Sequence, residues 1–134
     1  MPAGIGGRGG SWDESGASCL ASDLFAGAGI TPQDIDVVGF YDHFSTVIIT
    51  KLEDYGFCAR GEGGPFVEEG RIELGGQIPV NTSGGHLSEA YLQGMNQIVE
   101  VVRQLRGQSP AQVENAELAL VDSGDGAGAL ILRR

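Results

Sequence analysis

Long hydrophobic runs are missing from this 134-residue sequence: no apolar stretch approaches the ~20 residues that a membrane-spanning helix requires. A membrane protein is not expected. Basic residues are scarce too. Eight Lys and Arg stand against 18 Asp and Glu, a formal net charge of −10, and phosphate recognition relies on basic clusters, which argues against nucleic acid and anionic lipid as partners. Only two cysteines occur, Cys19 and Cys58, far apart, with no CxxC spacing and no His pair to complete a zinc site. They read as buried free thiols of a reducing compartment, and no metal site is expected. The amino terminus carries Arg8 but no apolar core of the kind a secretory signal uses, so a cytoplasmic location is expected. Phosphate-binding P-loop, GxSxG and HExxH patterns are absent as well.

What is present fits one soluble α/β domain. Hydrophobic residues make up 41% of the chain, and a chain of this length buries roughly two thirds of its unfolded surface in one core. Glycine is abundant, 23 residues concentrated at 4–16, 61–76, 84–85 and 124–128, which marks loops and tight turns between regular elements. Residues 1–16 have no periodicity and read as a flexible lead-in with Trp12 as its anchor, leaving residues 17–134 as the folded domain.

Hydrophobic spacing then orders the elements. Leu20, Leu24, Phe25 and Ala28 share a helical face that stops at Gly29. Residues 35–41 are short, apolar and β-branched, as a buried strand should be, and run into a helix carrying Phe44, Val47, Ile48, Leu52 and Tyr55. Residues 57–80 read as a surface excursion, with Phe66-Val67 and Arg71–Leu74 as short strands or extended segments. The longest predicted helix opens after Asn81-Thr82-Ser83-Gly84-Gly85, with Leu87, Tyr91, Met95, Ile98, Val102 and Leu105 as its stripe, and ends at Gly107. Residues 116–121 and 128–132 read as an antiparallel hairpin. The fold class is α/β, a mixed sheet of a few strands with helices packed on it.

Three places combine polar groups with special backbone. Phe40-Tyr41-Asp42-His43-Phe44-Ser45 lies where a strand gives way to a helix, the position at which open α/β sheets present ligands. A plainer reading has Asp42 as N-cap, His43 in solvent and Tyr41 as a packed aromatic. Asn81 to His86 precedes a helix, so the amides of Gly84, Gly85 and His86 are candidates to cradle an anion or enolate oxygen, while Tyr91 reads equally as a core residue. Asp122-Ser123-Gly124-Asp125-Gly126 reads as a bare hairpin turn or as a third polar element.

The order of these three places resembles the carboxy-terminal half of thiolases, in particular the sterol-carrier and lipid-transfer branch, over about residues 17–134. In that family a strand leads into Asn-Glu-Ala-Phe, a Gly-Gly run leads into Gly-His-Pro, and a last hairpin carries Cys followed by glycines. Here Tyr41-Asp42-His43-Phe44, Ala90-Tyr91-Leu92 and Asp122-Ser123-Gly124-Asp125-Gly126 stand in those places. Thiolases use the His to activate a nucleophilic Cys of the amino-terminal half, and the second Cys as acid and base. Without them, Claisen-type acyl transfer is not expected.

Tyrosines at both the Asn and the His positions resemble the thiolase-like aldolases of bacterial steroid side-chain degradation. The resemblance implies a retro-aldolase that splits a β-hydroxyacyl-CoA into a ketone and a shorter acyl-CoA such as propionyl-CoA, with Tyr41 and Tyr91 catalytic. Asp42, His43, Gly84, Gly85, His86 and Asp122 would be supporting or oxyanion residues. A phenol has a pKa near 10 and needs a neighbour's help to act as a base at neutral pH; His43, His86 and the Gly84-Gly85 amides are the candidates. No cofactor is implied beyond the CoA thioester as substrate. The resemblance further implies an absent amino-terminal half, a homodimer, and a partner with an OB fold and zinc ribbon. Two other classes remain open: an acyl-CoA-binding or scaffolding subunit without catalysis, and a thiolase or acetyl-CoA acetyltransferase working with unusual residues.

Overall fold

The computed structural model describes residues 16–124 and 128–134. Most of the Gly-rich lead-in, with Trp12, and residues 125–127 of the hairpin turn lie outside the described residues. Helix α1 spans Gly16–Ala28 and is followed by a 3-10 turn over Pro32–Asp34. Strand β1 is Val37–Gly39, α2 is Ser45–Asp54 and α3 is Gly63–Glu68. Then come α4, Gly85–Ser88, α5, Met95–Leu105, and the strands β2, Leu118–Asp122, and β3, Ala129–Arg133.

The strands form one mixed sheet in the order β1-β2-β3. β1 lies parallel to β2, with Val38 opposite Leu120, and β2 runs antiparallel to β3, with Leu120 opposite Ile131. Because strand side chains alternate between faces, the sheet divides the core in two. Val38 and Leu120 face α1 and α2, where Ala21, Phe25, Leu52, Tyr55 and Phe40 complete one cluster. Val37, Ala119 and Val121 face α5 and meet Val101 and Leu105. Each fully buried side chain of this size contributes about 1.5–3 kcal/mol. α5 approaches β1 so closely that a Cβ on Gly39 would lie 2.9 Å from the Gln97 Cβ, which makes glycine the fitting residue there.

The mixed sheet, the first helix with its Gly29 stop and the closing strands match the sequence expectation. Three elements depart from it. Phe66 and Val67 belong to α3 rather than to a strand, because Pro65 fits the first turn of a helix and Phe66 N–H bonds back to the Glu62 carbonyl. Cys19 is exposed and Cys58 half-buried, so the thiols are free but not both in the core. The third departure matters most for function. The long helix expected from residue 85 to 105 is broken into α4 and α5: Glu89 turns extended, with φ −114° and ψ −175°, and ends α4, and Gln93 and Gly94 adopt left-handed backbone with φ of 51° and 90° just before α5 begins. Leu87, Tyr91 and Met95 are therefore 55–58% exposed. The buried stripe of α5 is instead Gln97, Val101, Gln104 and Leu105, joined by Asn96 and Glu100. No helix among the described residues is long and apolar enough to cross a membrane.

Candidate active site

The site is built at the carboxy end of β1. Phe40 is wholly buried, and its amide and carbonyl are both taken by one side chain: Phe40 N–H donates to Asn81 Oδ1 at 2.8 Å, and Asn81 Nδ2 donates to the Phe40 carbonyl at 3.0 Å. Asn81 thus completes the strand as a neighbouring backbone would, and Tyr41 leaves the sheet from a fixed point. The half-buried Tyr41 ring lies between two glycine backbones. A Cβ on Gly94 would sit 3.5 Å from its Cδ2, and one on Gly124 would sit 3.3 Å from its Cγ. Beside it lies the His86 ring, centroid to centroid 4.3 Å.

His86 is itself held by Asp42. The Asp42 carboxylate is buried, and its Oδ1 accepts from His86 N–H at 2.8 Å, from His86 Nδ1 at 3.0 Å and from Gln97 Nε2 at 3.2 Å. On the other side of the ring, Gly94 N–H donates to Nε2 at 3.0 Å. A backbone N–H aimed at Nε2 and a carboxylate aimed at Nδ1 together select the neutral tautomer that carries its proton on Nδ1. Gln97 Nε2 also crowds Nδ1 at 2.5 Å, but its protons have acceptors in Asp42 and the Phe40 carbonyl. The opposite tautomer would set N–H against N–H at Gly94 and a lone pair against the carboxylate. His86 is therefore a fixed neutral ring whose two nitrogens are both engaged by the protein.

Tyr91 reaches this ring from the α4–α5 loop. Its ring lies 4.6 Å from His86 and stands perpendicular to Tyr41, with centroids 5.9 Å apart. The two phenol oxygens are 2.7 Å apart, a hydrogen bond in which either is the donor. Tyr91 is 55% exposed. The helix break accounts for this: a Tyr91 on a continuous helix would have packed along its stripe, whereas the left-handed Gln93-Gly94 step turns the loop toward Tyr41. What results is a pair of bonded hydroxyls at an open surface, backed by a neutral imidazole.

Other expected site residues take different places. Asp42 does not cap α2, whose N-cap is Phe44. The Gly84-to-His86 segment does bind an anion, but that anion is Asp42. Gly84 N–H is spent on the Asn81 carbonyl and His86 N–H on Asp42. Gly85, at φ 62°, is required because a Cβ there would fall 2.2 Å from Asp42 Oδ2. The Gly84 and His86 amides are thus engaged within the chain. His43 is half-buried, its ring 5.6 Å from Tyr41, and its Nδ1 has no hydrogen-bond partner among the described residues. Asp122 is fully buried and pairs with Lys51 and Tyr55. Burial and the charges of Glu53 and Glu62 push the Cys58 thiol up.

A thiolase C-terminal domain-like family model matches residues 10–130. The chain belongs to that family. Among curated proteins, this thiolase-type chain is 48% identical over 107 residues to the 17-hydroxy-3-oxo-4-pregnene-20-carboxyl-CoA lyase of Mycobacterium tuberculosis, covering 80% of this chain and 28% of the relative. It is 45% identical over 107 residues to the steroid side-chain-cleaving aldolase of Thermomonospora curvata, covering 80% and 27%. Among solved structures, the Ltp2-ChsH2(DUF35) aldolase superimposes with a TM-score of 0.84 at 43% identity, over 87% of this chain and 31% of that one. The chain spans less than a third of the length of each of these relatives.

Several residues that build the site escaped sequence reasoning. Gln97 and Gly94 hold the imidazole and the Tyr41 ring, and Asn81 locks Phe40. Gln97 carried no signal, since the expected stripe ran through Met95, Ile98, Val102 and Leu105 and left it on another face.

Proposed function

We propose that this chain carries the acid and base groups of a carbon–carbon lyase of thiolase fold. Its substrate is a β-hydroxyacyl-CoA of the steroid side-chain kind, cleaved into a ketone and a shorter acyl-CoA such as propionyl-CoA. The observation that carries this reading is the 2.7 Å hydrogen bond between the Tyr41 and Tyr91 hydroxyls at an open site. The names of relatives that match these same residues at 45–48% identity support the reaction class.

Retro-aldol cleavage moves one proton from the β-hydroxyl to the α-carbon. The electrons of the breaking carbon–carbon bond pass to the thioester enolate, and the oxygen lone pair left by the departing proton closes the new carbonyl. Two bonded phenols carry that proton without either being ionised beforehand. The first accepts the hydroxyl proton while handing its own to the second, and the second protonates the enolate carbon. Both phenols end neutral, so the relay runs at neutral pH without a standing phenolate. His86, its nitrogens engaged by Asp42 and Gly94, backs both rings. A hollow of about 240 Å³ beside Gly94, walled by Met95, Ile98, Val121 and Leu130, suits an apolar part of the substrate. A larger hollow of about 530 Å³, by Ile35 and Asp36, lies at the opposite end of β1.

The working protein would extend beyond this chain, as the coverage of its relatives suggests, and would be a dimer with a partner of the OB-fold and zinc-ribbon type. The solved neighbour, whose name pairs Ltp2 with ChsH2(DUF35), supports a partner protein. The test is to change Tyr41→Phe and Tyr91→Phe separately in the intact enzyme and measure β-hydroxyacyl-CoA cleavage. Each change is expected to lower kcat by about 10²–10⁴-fold. Near-normal turnover in both variants would refute the reading.

A further inference from the structure

Behind the site lies a second polar cluster that the proton relay does not use. Lys51, the only lysine of the chain, projects from α2 into the core and is 3% exposed, while Asp122 at the end of β2 is 0% exposed. Their side chains form an ion pair. Tyr55, 1% exposed, donates its hydroxyl to Asp122 Oδ2 at 2.6 Å. An apolar pair of similar volume often fills such a space as stably as a buried ion pair, so the pair need not be there for stability.

The contacts around Asp122 suggest what does. Its Oδ1 accepts from Gly124 N–H at 2.8 Å, a turn closed by the side chain two residues earlier, and Gly124 sits in left-handed backbone at φ 99°. That turn is the one lying 3.3–3.5 Å, measured from a Cβ built on Gly124, from Cγ, Cδ1 and Cβ of Tyr41. From the other side, the Phe40 ring packs on Tyr55 with centroids 5.5 Å apart, and Lys51 Nζ lies 5.8 Å from the Phe40 centroid. The cluster thus touches both the wall of the Tyr41 ring and the residue from which Tyr41 departs.

We propose that Lys51, Asp122 and Tyr55 are positioning residues that hold the Tyr41 phenol in line with Tyr91, acting through the backbone of Gly124 and the ring of Phe40. The inference rests on the catalytic reading of Tyr41. Misplacing a reacting group by about 1 Å can lower turnover about 10²-fold without loss of substrate binding, so the signature is a fall in kcat at constant KM.

Two paired variants of the intact enzyme test it, with Tyr41→Phe as the control. The apolar pair, Lys51→Met with Asp122→Leu, removes both charges and the acceptor for Gly124, so the enzyme should keep its fold and KM but lose about 10–100-fold in kcat. The amide pair, Lys51→Met with Asp122→Asn, removes both charges of the pair yet keeps a carbonyl oxygen for the Gly124 N–H, and should recover kcat to within about fivefold of wild type. Tyr55→Phe, which preserves volume, should lower kcat a few-fold at unchanged KM, and serves if the paired variants do not fold. Wild-type kcat in the folded apolar pair or in Tyr55→Phe overturns the proposal, as does an amide pair no better than the apolar one. If Tyr41→Phe itself keeps full turnover, the fault lies in the relay on which the inference rests.

Discussion

Two clusters built from nearly the same groups meet at residues 40 and 41, and they have opposite fates. In the buried one, the Tyr55 hydroxyl is consumed by Asp122, and its pKa is pushed up to about 12, first by burial and then by the charge of Asp54. It is a permanent donor. In the open one, the carboxylate of Asp42 is taken up by His86 and Gln97, and the Tyr41 and Tyr91 hydroxyls are bonded to each other, with Tyr91 exposed. A carboxylate set directly on a phenol locks it in place. A carboxylate set on an imidazole leaves the neighbouring phenols bonded to each other.

Neutralising the two carboxylates separates the clusters most sharply. Asp122→Asn alone takes away the buried carboxylate paired with Lys51, a loss of about 3–5 kcal/mol. Asp42→Asn strands no cation and only weakens charge-assisted bonds that an amide oxygen still accepts, so about 1–2 kcal/mol is expected. Denaturant unfolding of the two variants in the intact enzyme measures the difference, and equal losses would mean that the Lys51–Asp122 pair is not the buried charge pair described.

Gly85→Ala attacks the open cluster at its tightest point. Alanine at φ 62° is strained, and its Cβ would have to displace the carboxylate that fixes His86. Roughly 2–4 kcal/mol of stability should be lost, the strain and the overpacking together. Turnover should fall much further than in Gly27→Ala, where nothing lies within 4 Å of the added carbon. Melting curves and cleavage rates on the two variants decide it.

Much of this was legible in the amino acids, and what was not has physical causes. The strand leading to Tyr41 and the closing strands showed themselves by β-branched runs, and the two tyrosines by their places in the motif order. The α4–α5 break did not show. Leu87, Tyr91 and Met95 keep helical spacing, and nothing local announces that Gln93, a non-glycine residue, will sit at φ 51°. That step is supported by a tertiary bond, Gly94 N–H to His86, and such a bond has no local signature. Asp122 does stand at the β2–β3 hairpin, but its partners Lys51 and Tyr55 lie 71 and 67 positions back, and such a distant pairing likewise has no local signature. Gly85 makes room for an anion that comes from the chain itself, the Asp42 carboxylate, while the Gly84 N–H goes to the Asn81 carbonyl.

The gentlest change, Tyr55→Phe, sharpens the comparison through pH. A phenol whose folded-state pKa lies above its unfolded value binds its proton more tightly in the folded protein. Its contribution is complete below about pH 10, the ordinary tyrosine value, and is lost as pH rises toward 12. At neutral pH the variant should be less stable by roughly 1–2 kcal/mol, the worth of one bond to a carboxylate. Between pH 10 and 12 the wild-type enzyme should lose stability faster than the variant, so the gap between their unfolding curves should close. Parallel curves across that window would show that Tyr55 is not the locked donor described, and the contrast between the two clusters would then rest on exposure alone.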